Sequence, residues 1–229
     1  MSQETAGAME TDIKLNEGAV TAALSRRQLL VGGAAASLAL AAAACGGDDD
    51  TGTATGDDPK KVNPSRAALA DLDIVQFAAG LEVLAVGTYK AALDAATANK
   101  LGPVPPAVAE FVKTAMNHHQ EHLNALNGAL KAGARDQVTQ PNAKLKPTVD
   151  AQFANVKDAG GAANLALMLE TIAADTYLAA IPKLESDDSK KLAASIQAVD
   201  QQHRAILLFA LGQYPVPETF HNPDQAATP

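Results

Sequence analysis

Leu81-Glu82-Val83-Leu84-Ala85-Val86-Gly87-Thr88-Tyr89-Lys90-Ala91-Ala92 returns later in the chain as Leu169-Glu170-Thr171-Ile172-Ala173-Ala174-Asp175-Thr176-Tyr177-Leu178-Ala179-Ala180. Glu82 falls over Glu170, Ala85 over Ala173, and Thr88-Tyr89 over Thr176-Tyr177. In both copies the tyrosine follows the glutamate by seven residues, about two helical turns, so the two side chains share one helix face with the apolar residues around them. A charged carboxylate on a core-facing stripe is costly unless it is paired or coordinated. The repeat therefore predicts a polar centre inside an apolar helical fold.

The helical period continues on either side of each copy. Val75, Ala78, Leu81, Ala85 and Tyr89 fall three and four apart between Asp71 and Ala98, which marks the first helix. Pro105-Pro106 opens a second, which carries Val108, Val112, Ala115, Leu123, Leu126 and Leu130 and closes near Gly133. The third is expected after Gly160-Gly161 and runs through Leu165, Leu169, Ile172 and Leu178 toward Pro182. Asp187-Asp188-Ser189 forms an N-capping cluster for the fourth, which carries Leu192, Ile196, Val199, Ile206 and Phe209 to Gly212. The short link between helices three and four makes them antiparallel neighbours. The long link from Ala134 to Gly160 holds Pro141, Pro147 and at most one short helix near Val149 to Val156, which is the connectivity of a bundle with one crossover.

A second internal match sets His119-Gln120-Glu121-His122 over Asp200-Gln201-Gln202-His203. The stripe of the second helix passes through positions 119 and 122, and that of the fourth through 199/200 and 203, so these side chains are expected to face inward. Residues three apart on a helix can close on a single ion. His118/His122 and His119/His122 both have chelating spacing; the match with Asp200/His203 selects His119 and leaves His118 on the exposed side. Tyr89 and Tyr177 are read as core tyrosines with bonded hydroxyls, placed to support the Glu82 and Glu170 carboxylates.

The whole chain has 229 residues, 47% of them hydrophobic and 19% charged, the balance of a globular protein with one principal domain. Its net charge of −8 gives no cationic field for nucleic acid. A single cysteine rules out an intramolecular disulfide and any Cys-based zinc or iron–sulfur cluster built from this chain alone, so a metal would need His and carboxylate ligands. Aromatic residues are only 3% and Trp is absent, so the core must come from small and aliphatic side chains, which favours helix on helix.

The polar start leads to Ser25-Arg26-Arg27-Gln28-Leu29-Leu30 and then an apolar run that reaches Cys45. This resembles a twin-arginine export signal, which implies export of an already folded domain. The run is shorter than the ~20 residues a membrane-spanning helix needs. Ala42-Ala43-Ala44-Cys45 resembles a bacterial lipoprotein processing site, although Ala42 stands where Leu is usual; simple cleavage of the signal and an uncleaved N-terminal anchor are the alternatives. The expected organisation is a signal at 1–44, a lipidated Cys45 and Gly/Asp/Thr-rich tether over 45–65, a bundle over 66–212 and an irregular, exposed tail over 213–229 in which His221 is solvated. The expected location is the outer face of the cell membrane, or the periplasm or exterior if no lipid is added.

A Glu from each of two helices with paired ligands three apart on the other two resembles the ferritin-like domain family, and more closely its exported bacterial members of unassigned role. The resemblance covers about Asp71 to Gly212 and implies an all-α four-helix bundle with one long crossover between helices two and three. It also implies a metal centre of Glu82, His119, His122, Glu170, Asp200 and His203. Two departures stand out: His119 occupies a place held by Glu in di-iron members, and Asp200 is a shortened Glu. Three carboxylates around two divalent ions leave a formal charge of about +1, and the extra imidazole tilts the choice among iron, manganese, zinc and copper toward mixed nitrogen and oxygen ligation, with iron or manganese first and zinc as alternative. One ion or two, a redox reaction toward oxygen, peroxide or ferrous iron, a non-catalytic metal-holding role, a metal-free polar network and a homodimer all stay open on the residues alone.

Overall fold

The computed structural model describes residues 65–229, and every regular element among them is helical. The Arg26-Arg27 signal, Cys45 and nearly all of the tether lie outside the described residues. Helix α1 (Arg66–Ala70) is capped by Ser65, whose side chain accepts from the Ala68 amide at 3.1 Å. The bundle helices are α2 (Leu72–Thr97), α3 (Pro106–Ala132), α5 (Ala159–Ala180) and α6 (Asp187–Ala210), with α4 (Lys146–Ala154) in the crossover and a 3₁₀ turn (Ile181–Lys183) between α5 and α6. Helices α2 and α3 pack as one hairpin and α5 and α6 as another, and α2 meets α5 to join them.

Sequence signals account for most boundaries. Pro106 opens α3, and Asp187 and Asp188 lie in the first turn of α6, where negative charge suits the helix dipole. The cap of α6 is Ser186, one residue ahead of the expected cluster. Helix α5 starts before Gly160-Gly161 rather than after them, because the Asp158 carboxylate accepts from the Gly161 amide at 2.7 Å and compensates for two poor helix formers. Helix α4 lies three residues upstream of the expected Val149 start, with Pro147 in its first turn. Gly133 ends α3, but the left-handed residue is Ala134, at φ 57°. Gly133 serves packing instead: a Cβ there would sit 2.6 Å from Leu72 Cδ1.

Leu72, Val75, Ala78 and Ala79 of α2 pack with Leu126, Leu130, Tyr177, Ala193 and Ile196 in the larger apolar cluster. A second cluster joins Leu84, Leu165 and Leu169 to Val149 of the crossover helix. The crossover is fixed by its own hydrogen bonds: the Asn142 amide donates to Gly80 O at 2.8 Å, and the Asn127 side chain pairs with both backbone groups of Val138. Buried Asp71 accepts from the Glu185 and Ser186 amides at 2.8 and 3.0 Å, which ties the start of α6 to the start of α2. Among the described residues two segments, Leu72–Thr97 and Ala159–Lys183, are long and apolar enough to cross a membrane by length and composition. Each carries a buried glutamate near its middle and packs against the other, as core helices of a bundle do.

The C-terminal segment corrects one expectation. It is irregular, but His221 is not solvated: its Nε2 lies 2.6 Å from Asp175 Oδ1, and its side chain is 18% exposed. The Gln225 amide donates to Asp175 Oδ2 at 2.7 Å and the Ala227 amide to Thr176 Oγ1 at 2.8 Å. Asp175 is a buried carboxylate that needs donors. A proline-rich tail without regular structure has free amides to supply, so it straps down onto α5.

Candidate metal centre

Glu82 comes from α2, His119 and His122 from α3, Glu170 from α5, and Asp200 and His203 from α6, and the bundle brings all of them to one buried place. Five of these side chains are at most 3% exposed as residues, while the His122 side chain is 12% exposed. They form two overlapping groups, Glu82/His119/His122 and His119/Glu170/Asp200/His203, each with one ligand atom per residue within 4.8 Å of the others.

The two halves hold each other's carboxylates. Tyr89 of α2 donates its hydroxyl proton to Glu170 Oε1 on α5, and Tyr177 of α5 donates to Glu82 Oε1 on α2. His119 lies between the glutamates, with Nδ1 2.7 Å from Glu82 Oε2 and Nε2 3.0 Å from Glu170 Oε1. His203 Nδ1 lies 3.2 Å from Glu170 Oε2. The seven-residue gap of the repeat is what lets each tyrosine reach the opposite helix two turns below its own glutamate.

Burial would raise the pKa of Glu82 and Glu170, but the His119 charge and its hydrogen bonds win and hold both at about 2. Burial pushes His119 down, yet Glu170 and Glu82 together raise it well above the ordinary histidine value. Asp200 goes well above the usual carboxylate range, first by burial and then by the charge of Glu82. Burial, with Glu170 beside one and Glu82 beside the other, keeps Tyr89 and Tyr177 neutral. Without an ion the centre thus sets two carboxylates against one imidazolium, and this excess of negative charge, with burial, favours the neutral form of Asp200.

Three ligand-type atoms in this cluster have no hydrogen-bond partner: Asp200 Oδ1, Asp200 Oδ2 and His122 Nδ1. His122 Nδ1 is 3.7 Å from Glu82 Oε1 and 3.8 Å from Asp200 Oδ1, beyond hydrogen-bond range. Ligands about 2.0–2.2 Å from a shared transition ion stand at roughly this spacing from one another. The donor set of imidazole nitrogens and carboxylate oxygens suits zinc, iron or manganese, so the residues fit such an ion.

His118 is exposed as expected, yet it touches the cluster from outside. Its Nδ1 is 3.0 Å from His203 Nε2, and the two rings stack with centroids 5.2 Å apart. Burial and the neighbouring imidazole of His203 lower its pKa. The i, i+4 spacing to His122 marked this residue in the sequence; its contact with the opposite hairpin needed the fold. Phe111 completes the pocket of His203 with its ring edge-on at 5.9 Å.

A family model described as a ferritin-like domain matches residues 70–213, which span the bundle and every residue of the centre. A comparison with curated proteins finds no match.

Proposed function

We propose, on the premise that this chain belongs to the ferritin-like domain family, that its bundle is a metal-binding module whose buried His/carboxylate centre holds one or two transition ions, iron or manganese first and zinc as alternative. The carrying observation is that both Asp200 oxygens and His122 Nδ1 are buried among potential ligands without any hydrogen-bond partner. A protein interior seldom leaves such atoms unpaired, and each costs about 1–3 kcal/mol when it does. Asp200, His203, Glu170 and His119 would hold one ion, with Glu82 and His122 completing the other side.

A bound transition ion supplies Lewis acidity or electron transfer toward oxygen, peroxide or ferrous iron, the reaction class this reading favours. The chain's own part is plainer. Leu84, Leu169 and Ala173 pack beside Glu82 and His119, the tyrosine hydroxyls fix the carboxylate rotamers, and the His119 and Asp200 protons must leave as an ion arrives. Delivery to the cell exterior through the Arg26-Arg27 signal, with a lipid on Cys45 as membrane anchor, belongs to the same proposal. Metal analysis of protein exported by its own signal tests it: stoichiometric iron or manganese is expected, and trace metal with no gain on reconstitution contradicts it.

One observation favours a second reading. His119 already occupies the place between Glu82 and Glu170 with both ring nitrogens, and Tyr89, Tyr177 and His203 reach the glutamate oxygens as well, so much of the network closes without an ion. On that reading the bundle is a structural module of the envelope. It predicts that added metal leaves the melting temperature unchanged.

A further inference from the structure

The internal repeat places Val199 where the first hairpin has His118, one residue ahead of Asp200 as His118 is one ahead of His119. His118 therefore has no counterpart in the second copy. It is exposed, whereas His203, which it touches at 3.0 Å, is buried and bonded through its other nitrogen to Glu170. Two imidazoles thus lead from solvent to a buried carboxylate on the His203 side: His118, then His203, then Glu170. On the other side His122 has only half-buried Val199 as the repeat's counterpart of that outer ring, and its Nδ1 is unpaired.

We infer that His118 is a loading ligand: a solvent-reaching imidazole that captures a divalent transition ion and hands it to His203 and the buried carboxylates. The inference rests on the metal-binding reading above. A strongly hydrated ion cannot cross an apolar shell without exchanging its waters for ligands one at a time. His118 offers the first nitrogen at the surface, and a small swing of its ring away from His203 frees both nitrogens to share the ion. A loading ligand lowers the barrier in both directions, so it sets rates and leaves the equilibrium alone.

The test is stopped-flow uptake of Co²⁺ alone by the full metal-free chain, followed by its d–d absorption, with affinity and stoichiometry measured in parallel by calorimetry. For His118→Ala, association and dissociation should both slow by an order of magnitude or more while Kd and stoichiometry stay at wild-type values. His118→Gln keeps a hydrogen-bonding partner for His203 but is a poor ligand, and it should be as slow as the alanine variant. Wild-type rates in either variant overturn the inference, and so does a Kd that weakens in step with the association rate, which would make His118 a resident ligand. Far-UV circular dichroism of each metal-free variant checks that it is folded before rates are compared. Absence of Co²⁺ binding by the wild-type chain is a separate result: it overturns the metal-binding reading, and this inference with it.

Discussion

The α2–α3 hairpin and the α5–α6 hairpin are built from one template, yet they treat their polar residues differently. Glu82 and Glu170 are equivalent, each buried, ionised and held by the tyrosine of the other half. The residues that face them are not. His119 is satisfied at both ring nitrogens, whereas its repeat partner Asp200 is satisfied at neither oxygen. His203 is bonded at both nitrogens, whereas His122 Nδ1 has no partner. The first hairpin carries a cation of its own in His119; the second offers an unused acceptor in Asp200. A duplicated frame can thus fix where the carboxylates stand while one exchanged pair decides how much positive charge must come from outside.

The largest expected effect separates the two glutamates. Glu170 bonds Tyr89, His119 and His203, while Glu82 bonds Tyr177 and His119. Glu170→Ala should cost the metal-free protein about 3–5 kcal/mol, the range for breaking a buried charged pair, and Glu82→Ala should cost less; urea denaturation measures both. Equal losses would mean that the halves are energetically alike despite their different bonding.

Asp200→Asn probes the second half on its own. Because burial and the charge of Glu82 favour the neutral form of Asp200, the amide should change metal-free stability by no more than about 1 kcal/mol, while the thermal stabilisation by added Mn²⁺ or Zn²⁺ disappears. A large loss without metal would show that the carboxylate is ionised and paired in solution.

The same residues fix a pH dependence. The lowered pKa of Glu82 and Glu170 stabilises the fold above the ordinary glutamate range, and that gain is lost as pH falls toward about 2. His119, raised, stabilises fully below the usual histidine pKa and loses its contribution as pH climbs through its folded value. Asp200, raised by burial, is a native group that keeps a proton the unfolded chain gives up above its usual pKa. Above the ordinary aspartate and histidine values and below the raised folded values of Asp200 and His119, the folded metal-free protein therefore binds more protons than the unfolded one and should melt lower as pH rises. Metal-loaded protein should show the opposite slope, since binding releases those protons. A flat metal-free profile would remove the imidazolium from the centre.

The smallest effect lies outside it. His221→Ala should cost about 1 kcal/mol, the net worth of a hydrogen bond, and should speed hydrogen exchange at the Gln225 and Ala227 amides without altering metal affinity. Unchanged exchange would mean that the backbone bonds to Asp175 and Thr176 hold the tail unaided.

The bundle was legible because its signals are local and repeated: the three-and-four spacing from Val75 to Tyr89, Pro106 at a helix start, and the phrase that contains Glu82 and then Glu170. The convergence of those residues followed from the stripe positions. The crossed tyrosine bonds did not, since a seven-residue gap says which face a hydroxyl shares but not which helix it meets. His118 was visible as a histidine, but its contact joins α3 to α6 and depends on how the hairpins dock. Asp175 and His221 were missed for the opposite reason: a lone acid in an apolar run and a histidine among prolines carry no periodic signal, and only the return of the chain unites them. Gly133 marked the end of its helix in the sequence, but not that its lack of a side chain makes room for Leu72.

If the unpaired atoms of Asp200 and His122 hold an ion, metal must sit within coordination distance of both residues. Anomalous X-ray scattering from crystals of the full chain soaked in Mn²⁺ or Zn²⁺ tests it most directly, because the signal reports ion identity and position together. A peak is expected within coordination distance of an Asp200 oxygen, with a shared or second peak at His122 Nδ1. Crystals that show metal only at surface residues, with Asp200 still unpaired inside the bundle, would contradict it.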